Sequence, residues 1–187
     1  MNRNIIQEKY LILKAKTKDQ DAYSKVYNLY AERIYRFIYF KVSSQEEAQD
    51  LTSEVFLKTW QYILDGKDIK NLNALFYKVA RNLVIDHYRK SSQKDLPLEK
   101  EIYQQKELIE DQIEEKIDVQ LDFNKLESKI KLLKNEYQEV ILLRYVEDLS
   151  IKEIAEVLEK KKGNVRVILY RAVNALKELM EEESENQ

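Results

Sequence analysis

Between Lys160 and Arg171 the chain carries five cations, Lys160, Lys161, Lys162, Arg166 and Arg171, interleaved with Asn164, Val167 and Tyr170. Ammonium and guanidinium groups neutralise phosphates, while the amide, apolar and aromatic side chains between them are of the types that meet base edges. A second group, Lys78, Arg81, Asn82, Tyr88, Arg89 and Lys90, mixes cations with an amide and a ring. That mixture suits single-stranded or melted DNA, where unpaired bases stack on aromatic faces. Other chemistry has little to work with. Cysteine is absent and His87 is the single histidine, which excludes Cys/His zinc sites, cysteine nucleophiles and disulfide frameworks. With Gly66 and Gly163 the only glycines, neither a P-loop nor a dinucleotide fingerprint can be written. Carboxylates number 34, so pairs of them on helix faces are expected of a solvated surface. No catalytic constellation, metal site or cofactor is implied, and His87 reads as a helix surface or interface residue.

The elements that must position these groups are helices. Three residues, Gly66, Gly163 and Pro97, are the whole stock of breakers in a chain rich in Lys, Glu, Leu and Ile, which predicts an all-α protein. Ser150 with Glu153 has the spacing of a capping box and opens a helix carrying Ile151, Ile154, Ala155 and Leu158 at helical intervals. The pattern breaks over Glu159 to Gly163, predicting a turn there. Val165, Leu169, Ala172, Leu176 and Leu179 then line one face of a second helix, with Asn164, Arg166, Val167, Tyr170, Arg171 and Asn174 opposite. This is the layout of a helix-turn-helix; an ordinary helical hairpin with a solvated polar face has the same spacing.

Upstream, Asp19 and Asp21 precede an aromatic-rich helix with the stripe Ala22, Val26, Tyr30, Ile34, Phe37 and Ile38. Ser44 and Glu47 form another capping-box spacing. The helix it opens buries Ala48, Leu51, Val55 and Trp60 and turns Glu47, Asp50, Glu54, Lys58 and Gln61 outward. A third helix runs from about Asn73 to Lys90, with Leu75, Val79, Leu83 and the row Phe76, Ala80, Val84 facing inward, and Asp86 spaced to pair with Arg89 or Lys90.

Charge divides the chain. Residues 1–94 hold 17 basic and 11 acidic side chains, residues 95–127 hold 4 and 11, and residues 128–177 hold 11 and 7. Two basic blocks separated by an acidic bridge predict two small helical domains, 1–94 and 123–187, joined by an acidic linker over 95–122. Pro97 marks the first boundary. Ile109, Ile113, Ile117 and Leu121 recur every four residues within the bridge, so it reads either as a solvated tether or as an acidic strand for a basic channel of a partner. The longest aliphatic run, Val140 to Leu143, ends at Arg144, far short of the roughly 20 residues of a membrane span. The N-terminal apolar residues are split by Glu8 and Lys9, unlike a secretory signal. A soluble cytoplasmic protein without membrane insertion is expected.

Taken together, EEAQDLTSEVFLKTW, NLNALFYKVARNLVIDHYRK and NEYQEVILLRYVEDLSIKEIAEVLEKKKGNVRVILYRAVNALKEL resemble, in order, segments of a bacterial RNA polymerase sigma factor of the extracytoplasmic-function (ECF) group. The resemblance covers roughly 21–91 and 126–179. It implies a chain that binds core RNA polymerase, recognises the -10 and -35 elements of promoter DNA and promotes opening, without catalysis of its own. By position it implies that Asp50, Ser53 and Glu54 contact the polymerase clamp. Lys78, Arg81, Asn82, Arg89 and Lys90 would hold the -10 strand, with the loop 65–71 capturing a flipped base. Asn164, Arg166, Val167, Tyr170 and Arg171 would meet the -35 duplex, the acidic linker would thread a channel of the polymerase, and an anti-sigma factor would mask the free protein. The sequence departs from the family's usual pattern at Leu75 and Phe76, where tryptophan is common, at Lys134 in place of a proline, at Glu159 in place of a turn glycine, and at Val167 and Ile168, which replace polar or basic residues. Two other readings remain open: a helix-turn-helix regulator binding duplex DNA as a dimer without polymerase, and an all-helical interaction protein with solvated basic faces.

Overall fold

A computed structural model describes residue 14 and residues 19–92 and 126–184. Among these residues every regular element is helical: α1 (Gln20–Val42), α2 (Gln45–Leu64), α3 (Leu72–Ser92), a further helical stretch over 126–132, α4 (Asn135–Ile141) running into a π-helical turn (Leu142–Val146), α5 (Ile151–Val157) and α6 (Lys162–Ser184). None is long and apolar enough to cross a membrane. The acidic bridge, including Ile109, Ile113, Ile117 and Leu121, lies outside the described residues.

By their contacts the residues form two compact units, one within Met1–Asp95 and Lys152–Lys160, the other within Leu96–Ile151 and Lys161–Gln187. The first is built on α1, α2 and α3. Each start has a local cause. The Asp19 carboxylate accepts from the Ala22 amide at 3.1 Å and the Ser44 hydroxyl from Glu47 at 3.4 Å, satisfying amides that a helix start leaves orphaned. Asn71 does the same for Ala74 at 2.9 Å, so α3 begins at Leu72 rather than near Asn73. The expected stripe of α1, from Ala22 to Ile38, is buried in full. On α2, Ala48, Leu51 and Val55 are buried as expected, joined by Thr52, Phe56, Thr59 and Ile63. Trp60 is only half-buried, its ring 4.2 Å from that of Tyr23.

Aromatic rings knit the three helices together. Phe76 of α3 is fully buried, stacked on Tyr30 of α1 at 4.6 Å and tilted against Phe56 of α2 at 5.0 Å. Tyr77, which the spacing had not singled out, is equally buried and meets Phe37 edge-on at 5.4 Å. Leu75 and Val79, expected inside, are half-buried, because Phe76, Tyr77, Ala80, Leu83 and Val84 already fill the inward arc of α3. The segment 152–160 belongs to this unit through polar contacts: Glu153 Oε1 accepts from Asn71 at 3.0 Å and from Asn73 at 3.3 Å.

In the second unit α4 packs on α6. Val140, Ile141, Leu142 and Leu143 are buried, as are Val165 and Ala172 of α6. Lys134 gives α4 no side-chain cap. Gln138 reaches back to donate to the Lys131 and Leu133 carbonyls at 3.0 and 2.7 Å, satisfying the end of the preceding helical stretch.

The turn before α6 differs from expectation in one respect. Gly163 does not sit in it but inside α6, with nothing within 4 Å of where a Cβ would stand. The residue that bends the chain is Glu159, at φ 53°. An L-residue there carries a cost of roughly 1–2 kcal/mol, which explains why a glycine would be natural at this position.

Because Phe76 touches both other helices, Phe76→Ala should cost the first unit about 3–5 kcal/mol. Trp60, the single tryptophan, makes fluorescence a reporter of that unit during denaturant unfolding. An unchanged midpoint would show that the ring cluster does not hold the helices together.

Candidate nucleic-acid interface

The packing of α2 leaves one face outward, and Asp50, Ser53 and Glu54 all lie on it, exposed. Glu54 pairs with Lys58 one turn on at 2.9 Å, and the Ser53 hydroxyl donates to the Gln49 carbonyl at 3.0 Å. Exposed pairs of this kind contribute little to stability, so the face is available to other partners. Beside it lies a shallow cleft of about 400 Å³ between α2 and α3, bordered by Glu47, Leu51, Glu54, Lys58, Leu83, Asp86, His87 and Lys90. The fold thus brings Glu54 and Lys90, which the sequence assigned to different tasks, to one cleft. His87 has a role that sequence reasoning left unspecified: its Nε2 stands 3.4 Å from the Glu47 carboxylate across this cleft.

On α3, Asn82, Arg89 and Lys90 are exposed, and Lys78 and Arg81 are half-buried. Arg89 pairs with Asp86 at 3.2 Å, as the spacing foretold. Tyr88 does not stand among the exposed groups. Its hydroxyl donates to the Lys41 carbonyl at 2.7 Å and its ring meets His87 edge-on at 5.4 Å, so it ties α3 to the end of α1 and is not free to stack on a base. Within the same unit the Lys78 ammonium pairs with Glu159 at 2.6 Å and holds that carboxyl below its ordinary range. Both groups face solvent, so salt or a competing phosphate would loosen the pair.

The loop before α3 carries Lys67 and Lys70 against Asp65 and Asp68. Gly66 takes φ 71° as α2 ends, and Lys67 turns back to pair with Asp65 at 3.2 Å while its ammonium lies 4.8 Å from the Tyr62 ring centre. Hydrogen bonds from Lys67 and then Gln61 keep the Asp65 carboxyl below its usual range.

On α6, Asn164, Arg166, Val167, Tyr170 and Arg171 are all exposed. At 3.6 residues per turn they occupy the side away from Val165 and Ala172, and Lys161 and Lys162 stand exposed just before them. Ile168, grouped with Val167 by sequence, is half-buried, so the two part company: Ile168 belongs to the packing edge and Val167 to the open face.

Sigma-70 region 2 matches residues 26–94 and Sigma-70 region 4 matches residues 123–176. The ECF RNA polymerase sigma factor SigW of Bacillus subtilis is 30% identical over 178 residues, covering 89% of this chain and 92% of SigW. The chain belongs to the ECF sigma factors. BldN of Streptomyces coelicolor, another ECF sigma factor, is 31% identical over 93% of this chain, which spans 66% of BldN's length. Among solved structures, CnrH in complex with the cytosolic domain of CnrY matches with a TM-score of 0.70 at 17% identity, covering 94% of this chain and 97% of that one. RpoE of Bartonella quintana, in complex with the anti-sigma factor NepR, matches with a TM-score of 0.66 at 22% identity over 84% and 96%. At these identities the two structures bear on the fold, which among the described residues is all-helical in line with the expectation.

The region 2 match contains the exposed face of α2 and the cations of α3, and the region 4 match contains the turn and most of α6. As an ECF sigma factor the protein recognises promoters together with RNA polymerase. If Arg171 meets a DNA phosphate, Arg171→Ala should weaken duplex binding and shallow the logarithmic salt dependence by about one unit. Affinities measured across a salt series check this, and an unchanged slope would remove Arg171 from that role.

Proposed function

We propose a division of the promoter-recognition task between the two matched regions. Residues 1–94 form the polymerase-clamp and -10 domain, 95–122 the acidic linker, and 123–187 the -35 domain. Asp50, Ser53 and Glu54 contact core RNA polymerase. Lys78, Arg81, Asn82, Arg89 and Lys90 hold the -10 strand, and Asn164, Arg166, Val167, Tyr170 and Arg171 meet the -35 duplex. The observation that carries this reading is that all three groups lie on helices within the family regions, with most of their side chains exposed and their apolar neighbours buried.

The physical logic is differential binding. Duplex DNA offers its phosphates whether open or closed, but unpaired bases and a flexible backbone exist only in the opened state. A cationic helix that prefers that state shifts the equilibrium toward it, offsetting an unstacking cost of a few kcal/mol per base. No covalent step by the chain is required, and we assign it none. It would work in the cytoplasm, where polymerase and promoter are, and an anti-sigma factor is a fitting partner because RpoE was solved in complex with one. A regulator acting as a dimer without polymerase has no use for the α2 face.

Reconstitution with core polymerase on genomic fragments should yield specific run-off transcripts. Replacing Asp50 and Glu54 together by alanine should weaken core binding about tenfold or more while sparing binding of the variant to isolated -35 duplex. Undiminished core binding would move the clamp contact elsewhere on the chain.

A further inference from the structure

Along α6 the helical repeat of 3.6 residues puts Gly163, Val167, Tyr170 and Asn174 on the midline of the face opposite the buried Val165 and Ala172. Arg166 flanks that line on one side, and Asn164 and Arg171 flank it on the other. The middle of a surface bordered by cations is therefore apolar and uncovered. Val167 is 49% exposed and Tyr170 is 70% exposed, while Gly163 offers no side chain and Asn174 is half-buried. Flanking cations fix a helix on phosphates but carry no sequence information, which comes from whatever meets the base edges. In the major groove thymine alone presents a methyl group, and an apolar side chain gains by covering it.

We infer that Val167, with the ring of Tyr170, reads the -35 element through the methyl groups of thymines. The inference rests on the assignment of α6 to the -35 duplex and adds to it the chemistry of the bases read. Arg166 and Arg171, at the flanks, hold the helix on the phosphates. Tyr170, 70% exposed, adds its ring to that apolar midline. The half-buried Ile168 takes no part.

The test uses the full chain bound to core polymerase and upstream elements selected from random duplex DNA by that holoenzyme. Each selected thymine is replaced singly by deoxyuridine, which removes the methyl group and keeps the base-pairing edge. At one or more positions the replacement should weaken holoenzyme binding about fourfold, the factor that burying a single methyl group supplies. Val167→Ala should weaken binding to the thymine element and make the same replacement nearly neutral. Tyr170→Ala should likewise weaken binding to the thymine element. Both positions are on the surface, and the helix content of each variant by circular dichroism confirms folding. Selected elements without thymine, neutral deoxyuridine at every position, or a deoxyuridine effect undiminished in both Val167→Ala and Tyr170→Ala would each overturn methyl reading, while run-off transcription from the selected promoters leaves the sigma assignment standing. Absence of run-off transcription and of core binding would bring down that assignment and the inference with it.

Discussion

The ring cluster of Tyr30, Phe56 and Phe76 sets the first unit, because it takes one side chain from each of three helices and fixes how each is rotated about its axis. Aromatic pairs at these separations bury large areas and prefer particular tilts. Once Phe76 points inward, the 3.6-residue repeat turns Asn82 and Arg89 away from the core, and with Ala48, Val55, Phe56 and Thr59 buried on α2, Asp50 falls on the opposite side. The outward faces are therefore consequences of core packing rather than separate designs. Phe76 is the ring that the other two, Tyr30 and Phe56, share.

The second unit solves a different problem, holding a long helix with one side bare. Among the described residues of α6, Val165 and Ala172 are buried, and Ile168, Leu169 and Leu176 are partly covered. Such a helix draws its stability from α4 on one side and leaves the other exposed. The turn preceding it adopts the left-handed conformation at Glu159 rather than at a glycine. The strain is small beside the total stability of a domain, and the Glu159 carboxylate gains the Lys78 ammonium as a partner.

Much of this was legible in the sequence, for reasons that can be named. The α1 stripe was read in full because a single amphipathic period runs uninterrupted from Ala22 to Ile38. Arg89 and Asp86 pair as read because ion pairs three residues apart on a helix depend on local geometry alone. What escaped was long-range. Nothing in the spacing of Tyr88 told that its hydroxyl would reach the Lys41 carbonyl, 47 residues away in sequence. The same holds for Tyr77, whose burial depends on where Phe37 stands, and for His87, whose neighbour Glu47 comes from another helix. Gly163 misled for the opposite reason: glycine is a good marker of turns in general, yet the left-handed residue lay four positions earlier.

The central claim is that the cationic face of α3 draws DNA into the opened state by holding a strand that exists only there. It is tested most directly by placing 2-aminopurine, whose fluorescence rises on unstacking, in the -10 region of a cognate promoter. Core polymerase with this chain should produce the rise, and replacing Arg89 and Lys90 by alanine should diminish it while the holoenzyme still binds the promoter. An equal rise with the variant, or a bound promoter that stays stacked with the unaltered chain, would contradict the account.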